Sequence, residues 1–176
     1  MRIIGGEYRG RRLKTPASVT RPTSGQLREA LFNILGDVTD FAVLDLFAGT
    51  GAVGLEALSR GADHVTFVEQ SRAALHILRE NIALLSAHNR TTLSGKDVLK
   101  ALAMDDHSYD LIFADPPYGK LLGQRTLDLI DGSNLLTSSG HLFIEEGSKA
   151  EPLKAQTLTL HATRQYGDSL LYHYGK

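Results

Sequence analysis

The sequence predicts a doubly wound α/β fold: seven strands in a mostly parallel sheet, ending in a C-terminal antiparallel hairpin and preceded by a basic N-terminal arm. Three observations carry the prediction. The run Val43-Leu44-Asp45-Leu46-Phe47-Ala48-Gly49-Thr50-Gly51-Ala52-Val53-Gly54 reads as strand, glycine turn, helix. A chain needs that arrangement where its backbone passes close to a ligand at a strand's C-terminal edge. A strand and helix rhythm then runs through residues 42–115, with Glu69 and Asp115 closing two of its apolar runs. Right-handed crossovers between parallel strands bring those ends to one edge of the sheet. Finally, two strand-like runs at 157–163 and 169–173 are separated by turn residues with no room for a helix, as in a hairpin.

In chain order, Arg2-Ile3-Ile4-Gly5-Gly6-Glu7-Tyr8-Arg9-Gly10-Arg11-Arg12-Leu13 has short β-like pieces broken by glycines. It reads as a hairpin or extended arm with too little apolar material for a core of its own. After Arg21-Pro22-Thr23-Ser24, a helix over 26–35 places Leu27, Ala30, Leu31, Ile34 and Leu35 at helical spacing, capped near Thr23 or Ser24 and closed by Gly36. Its stripe should pack on the sheet and hold the arm near the ligand edge. Arg28 and Phe32 either face the site or pack, and spacing leaves both open. Strand one ends at Asp45, a helix follows over 52–60, and strand two covers 64–68 before Glu69. A longer helix over 72–86 aligns Ala74, Ile77, Leu78 and Leu85. Strand three at 91–93 leads to the polar turn Ser94-Gly95-Lys96-Asp97 and a helix starting at Val98. Strand four at 110–114 ends at Asp115, a helical stretch covers 121–131, and strand five covers 141–145.

A chain of 176 residues, 42% hydrophobic, suffices for one well-buried domain with an appendage: an arm at 1–23 and a sheet domain at 24–176. The absence of cysteine excludes disulfides, thiolate metal sites and a cysteine nucleophile. No apolar run approaches the roughly 20 residues that span a bilayer, so a soluble, cytoplasmic protein is expected. The net charge of -1 hides an asymmetry, because residues 1–28 carry +6 and the remainder -7. A basic arm on an acidic body suits a polyanionic partner, with Arg2, Arg9, Arg11, Arg12, Lys14 and Arg21 as the candidate phosphate contacts.

The spacing Gly49, Gly51, Gly54 satisfies G-x-G-x-x-G, a weak signal alone. Asp45 before the turn and Glu69 at the end of strand two, where a ribose-binding acid belongs, sharpen it. The motif with chemical content is Asp115-Pro116-Pro117-Tyr118. An exocyclic amine is a poor nucleophile because its lone pair is delocalised into the base. An acid and a proline carbonyl that accept its two hydrogens would aim that lone pair at an electrophile. Tyr118 can stack on an unpaired or flipped-out base. The seven histidines are scattered without metal-ligand spacing, so no metal is expected. Glu145 and Glu146, at the end of strand five on the ligand edge, could line the pocket, though a solvated strand end is the preferred reading.

The order of Asp45-Leu46-Phe47-Ala48-Gly49-Thr50-Gly51, the acids after strands two and three, and Asp115-Pro116-Pro117-Tyr118 resembles that of a class I S-adenosylmethionine-dependent methyltransferase of Rossmann-like fold. Arg21-Pro22-Thr23, Arg28-Glu29-Ala30-Leu31-Phe32-Asn33 and Leu55-Glu56-Ala57-Leu58-Ser59-Arg60-Gly61-Ala62 further resemble the bacterial small-subunit (16S) ribosomal RNA guanine-N2 methyltransferase family. The likeness thins over the final third. It implies S-adenosylmethionine held by Asp45, Phe47, Gly49 and Gly51 at its methionine moiety, Glu69 at the ribose, Asp97 at the adenine amine and Val98 beside the ring. Asp97 reads almost equally well as a helix N-cap. The resemblance implies catalysis at Asp115, Pro116, Pro117 and Tyr118, and ribosomal RNA as partner, within a small subunit or an assembly intermediate. A monomer is expected. The rival readings are an N6-adenine DNA methyltransferase, which shares the amine chemistry, and two more distant ones: an NAD-dependent dehydrogenase, and an RNA-binding module without catalysis.

Overall fold

The computed structural model describes residues 1–16, 25–118 and 121–176. Arg21, the Thr23 or Ser24 cap and the boundary drawn at residue 23 lie outside the described residues. One seven-stranded sheet runs through the molecule: β1 (Ala42–Leu46), β2 (His64–Val68), β3 (Thr91–Ser94), β4 (Tyr109–Ala114), β5 (Leu136–Gly147), β6 (Thr159–Tyr166) and β7 (Ser169–Gly175). Their order is β3-β2-β1-β4-β5-β7-β6, parallel from β3 to β5, with β7 antiparallel to both β5 and β6. The expected mostly parallel sheet with its terminal hairpin is therefore present.

Alternation along the strands divides the core into two layers. Val43, Phe67, Phe113 and Phe143 pack with α1 (Gly25–Leu35), α2 (Ala52–Ser59) and α3 (Arg72–Leu84). Leu44, Ile112, Leu142 and Ile144 pack with α4 (Val98–Leu102) and α5 (Leu122–Asp131) on the other face. No helix intervenes between β5 and β6. Leu153 and Leu158 fill that part of the second layer, and the Asp131 carboxylate at the end of α5 accepts from the Gln156, Thr157 and Leu158 amides.

α3 departs from the expected phase. Its buried face is Leu75, Leu78 and Ile82, followed by Leu85, while Ala74 and Ile77 sit at the margin. The stripe is centred on the residues that meet α2: a Cβ on Gly51 would collide with Leu78. Arg28 and Phe32 both pack, leaving the ligand edge without either. Phe32 is buried under the Arg60 guanidinium, 4.8 Å from the ring centroid. Arg28 is buried with its guanidinium donating to the Arg2 carbonyl at 2.8 Å and lying 3.5 Å from Glu56.

The arm folds back on itself through an Arg2–Arg12 bridge and sends Ile3 and Leu13 into the first core layer. Glu56, wholly buried, accepts from the Ile4 and Gly5 amides, each at 2.8 Å. The Tyr8 amide donates to Ser59 Oγ at 2.9 Å. Since α2 starts at the glycine turn and runs away from it, the loop between Gly5 and Tyr8 is held at the far end of α2. Only the return segment comes back to the ligand edge, where Asn81 accepts from the Lys14 amide and donates to the Lys14 and Thr50 carbonyls. The arm lies along α2, with its tip remote from the ligand edge where the sequence pattern places it. The pattern offers the stripe of the 26–35 helix as the tether; that helix contributes Arg28, which donates to the Arg2 carbonyl, and Glu56, Ser59 and Asn81 hold the rest of the arm.

Candidate active site

Register fixes the site. Phe67, Asp45, Phe113 and Phe143 stand side by side on β2, β1, β4 and β5. Two positions further on come Glu69, Phe47, Asp115 and Glu145, and all four line one cavity of about 490 Å³ together with Gln70, Val98, Pro116, Pro117 and Tyr118. At about 4.8 Å between neighbouring strands, the row spans about 14 Å from Glu69 to Glu145.

The glycine turn is built to keep its backbone at this edge. Phe47, Gly49 and Gly51 all have positive φ (56°, 56° and 83°). For Phe47, a side chain with a Cβ, that conformation costs on the order of 1–3 kcal/mol, a strain found where surrounding structure holds a functional geometry. Glu69 clamps the turn: Oε2 accepts from the Gly49 amide at 2.9 Å and Oε1 from the Ser71 amide at 2.7 Å. Asp45 Oδ2 accepts from the Gly54 amide of α2 at 2.9 Å. Both acids thus bond backbone amides. Asp45 is also fully buried, and desolvation, reinforced by the charges of Asp115 and Glu69 against the Gly54 bond, pushes its carboxyl up to about 8.

Val98 lines the cavity at the start of α4, whereas Asp97 lines an adjoining depression that shares Gln70. Asp97 caps α4, accepting from the Lys100 amide at 3.2 Å. At the other end of the row, the Tyr118 hydroxyl donates to Glu145 Oε1 at 3.0 Å and meets Ser169 Oγ at 2.8 Å. Burial, with the Glu145 and Asp115 charges, pushes this phenol up to about 12, so it remains a neutral hydroxyl at ordinary pH.

Glu145 and Glu146 are not a solvated strand end. Each is 5% exposed, because β5 continues to Gly147 and β7 pairs alongside with Leu171 opposite Glu145 and Leu170 opposite Glu146. The histidines are not all scattered either: His141, His173 and His161 come together across β5, β7 and β6, with His141 Nδ1 and His173 Nε2 2.9 Å apart. Of the arm cations, Arg2, Arg9, Arg11 and Arg12 are exposed, while Lys14 is paired with Glu80 at 2.7 Å.

Among the described residues, three carboxylates and no lysine, arginine or histidine line the cavity. An acid-walled pocket with a buried, charge-crowded Asp45 beneath it fits a cationic ligand, and the sulfonium and ammonium groups of S-adenosylmethionine meet that requirement. With acids at successive strand ends and a positive-φ glycine turn on this sheet order, the molecule falls in the class of Rossmann-like, S-adenosylmethionine-dependent methyltransferases. Within that class the chain belongs to the family described as Conserved hypothetical protein 95, which matches residues 1–175. It is 37% identical over 170 residues to Ribosomal RNA small subunit methyltransferase D of Escherichia coli (strain K12), spanning 95% of this chain and 85% of that protein. The protein of the same name from Haemophilus influenzae is 34% identical over 159 residues, 87% of this chain and 81% of that one. The solved structure of a hypothetical protein from Thermus thermophilus matches with a TM-score of 0.84 at 30% identity, covering 100% of this chain and 99% of that one.

Proposed function

We propose that the protein transfers a methyl group from S-adenosylmethionine to the exocyclic N2 amine of a guanine in small-subunit ribosomal RNA. The observation that carries the reading is the position of Asp115-Pro116-Pro117-Tyr118 in the cavity row, between Glu69 and Glu145. The names of the similar proteins support ribosomal RNA as substrate.

In this reading Glu69, Phe47, Gly49, Gly51 and Val98 hold the cofactor end of the cavity, with Asp45 beneath the turn and Asp97 reaching it from the adjoining depression. Bound there, S-adenosylmethionine supplies an electrophilic methyl group on a sulfonium sulfur. Asp115 and the Pro116 carbonyl accept the two amine hydrogens and so aim the nitrogen lone pair along the line of displacement. The new nitrogen–carbon bond forms as the sulfur–carbon bond breaks, and Asp115, already accepting one amine hydrogen, takes the proton that leaves the nitrogen. Tyr118 offers its ring face to the base while its hydroxyl stays pinned to Glu145 and Ser169.

The test offers labelled S-adenosylmethionine with unmodified small-subunit particles, naked ribosomal RNA and DNA in parallel, followed by nucleoside analysis. N2-methylguanosine in RNA or particles is expected, and N6-methyladenine in DNA overturns the reading. Asp115→Ala should lower turnover by at least about 10²-fold, the scale of losing one preorganised contact to the reacting group, while cofactor binding stays intact. Near-normal turnover removes Asp115 from the positioning role.

A further inference from the structure

The cavity holds an unmet acceptor. Glu145 is 5% exposed and its Oε1 takes the Tyr118 hydroxyl, but its buried Oε2 has no hydrogen-bond partner among the described residues. A carboxylate oxygen withdrawn from water without a donor is destabilising, and a ligand that supplies the donor relieves that cost. Glu145 stands at the opposite end of the row from Glu69, one strand beyond Asp115, with Ala114 and Ile144 paired just before the two acids. Adjacent strands lie about 4.8 Å apart. Two carboxylates are thus presented side by side to whatever enters past Tyr118.

The edges of the purines respond differently to that pair. Guanine carries the N2 amine next to N1–H, two neighbouring donors. Adenine carries the N6 amine next to an unprotonated N1, which is an acceptor and would face the carboxylate lone pairs. We propose that Glu145 is the base-discriminating residue of this site: its Oε2 accepts the N1–H of the target guanine while Asp115 holds the neighbouring N2 amine. The proposal rests on the guanine-N2 reading above and says which group enforces it. The Tyr118 hydroxyl and Ser169 then have a defined task, to hold the Glu145 carboxylate through Oε1 and leave Oε2 to the base.

The experiment uses Glu145→Gln and Glu145→Asp in the full chain. Once the wild-type product has located the modified guanine, small-subunit particles are assembled on RNA carrying either guanine or 2-aminopurine there. 2-Aminopurine keeps the C2 amine but has an unprotonated N1. Wild-type protein should methylate guanine and strongly disfavour 2-aminopurine. Glu145→Gln should lower kcat/KM on guanine roughly 10- to 100-fold, with the cofactor Kd and Tm unchanged. Its amide can donate to N1, so the ratio of 2-aminopurine to guanine turnover should rise by at least about tenfold. Glu145→Asp withdraws the carboxylate by one methylene and should lower the guanine rate without that rise, which keeps the test open should the glutamine variant fold poorly. Equal losses on both bases in Glu145→Gln, or no loss, overturn the proposal while leaving guanine-N2 methylation standing. Wild-type product on a different base or atom overturns both.

Discussion

Asp45 couples the site to stability. Its folded carboxyl titrates at about 8, against about 3.9 in an unfolded chain. Below pH 4 it is protonated in both states and contributes nothing. As pH rises, the unfolded chain ionises first while the folded protein retains its proton, so stability falls progressively up to about pH 8 by an amount of order a few kcal/mol. Asp45→Asn should therefore lose less stability than the wild type between pH 6.5 and 8 in thermal melts, and bind S-adenosylmethionine less tightly by calorimetry. Parallel pH profiles for the two proteins would show that Asp45 is ionised throughout. The position of Asp45 against the glycine turn was legible because it precedes that turn in sequence, and it bonds the Gly54 amide there. For Glu145 the sequence offered the ligand edge but favoured a solvated strand end, because whether such an acid is buried depends on the strand paired beside it, here β7, some 25 residues later.

At the scale of elements, strands and turn glycines were readable because each states its own period and punctuation, whereas the neighbours of an element had to come from the fold. The face of α3, the arm's resting place along α2, and the histidines meeting across β5, β7 and β6 all belong to the second kind. That meeting has a measurable sign. Desolvation, then the neighbouring His141, His161 and Arg164 charges, hold His173 down to about 4, and His141 is lowered as well. Between the unfolded value near 6.5 and the folded one, the unfolded state binds more protons, so this contribution to stability is intact above pH 6.5 and lost as pH falls toward 4. His173→Gln should flatten the acid limb of the Tm profile, and an unchanged limb would assign acid unfolding to other groups. The arm has an equally specific dependence. Glu56→Ala strands the Ile4 and Gly5 amides and the buried Arg28 guanidinium, and should cost about 3–5 kcal/mol in denaturant unfolding. An unchanged midpoint would mean that the Ser59, Asn81 and Arg28 bonds and the burial of Ile3 and Leu13 hold the arm without Glu56.

For the whole molecule, charge is divided between a basic arm and an acid-walled cavity, so one surface suits phosphates and the other excludes them. The sequence showed that division; within its +6, Arg28 is buried, and Lys14, though exposed, is paired with Glu80 at the surface. Arg2, Arg9, Arg11 and Arg12 remain exposed. Replacing Arg9, Arg11 and Arg12 together with glutamine should weaken RNA binding and lower the slope of log K against log salt by about 2, at roughly 0.7 per single-strand phosphate contact. Cofactor affinity should be unaffected, and an unaltered slope would show that these side chains do not meet phosphates.

The tethering of the arm also bears on how the chain is made. The arm precedes in the chain the groups that hold it: Glu56 for Ile4 and Gly5 and Asn81 for Lys14 lie 52, 51 and 67 positions later. At about 5–20 residues per second, synthesis leaves this segment without its anchors for several seconds. The basic arm is therefore made well before its anchors and can close only when α2 and α3 are complete.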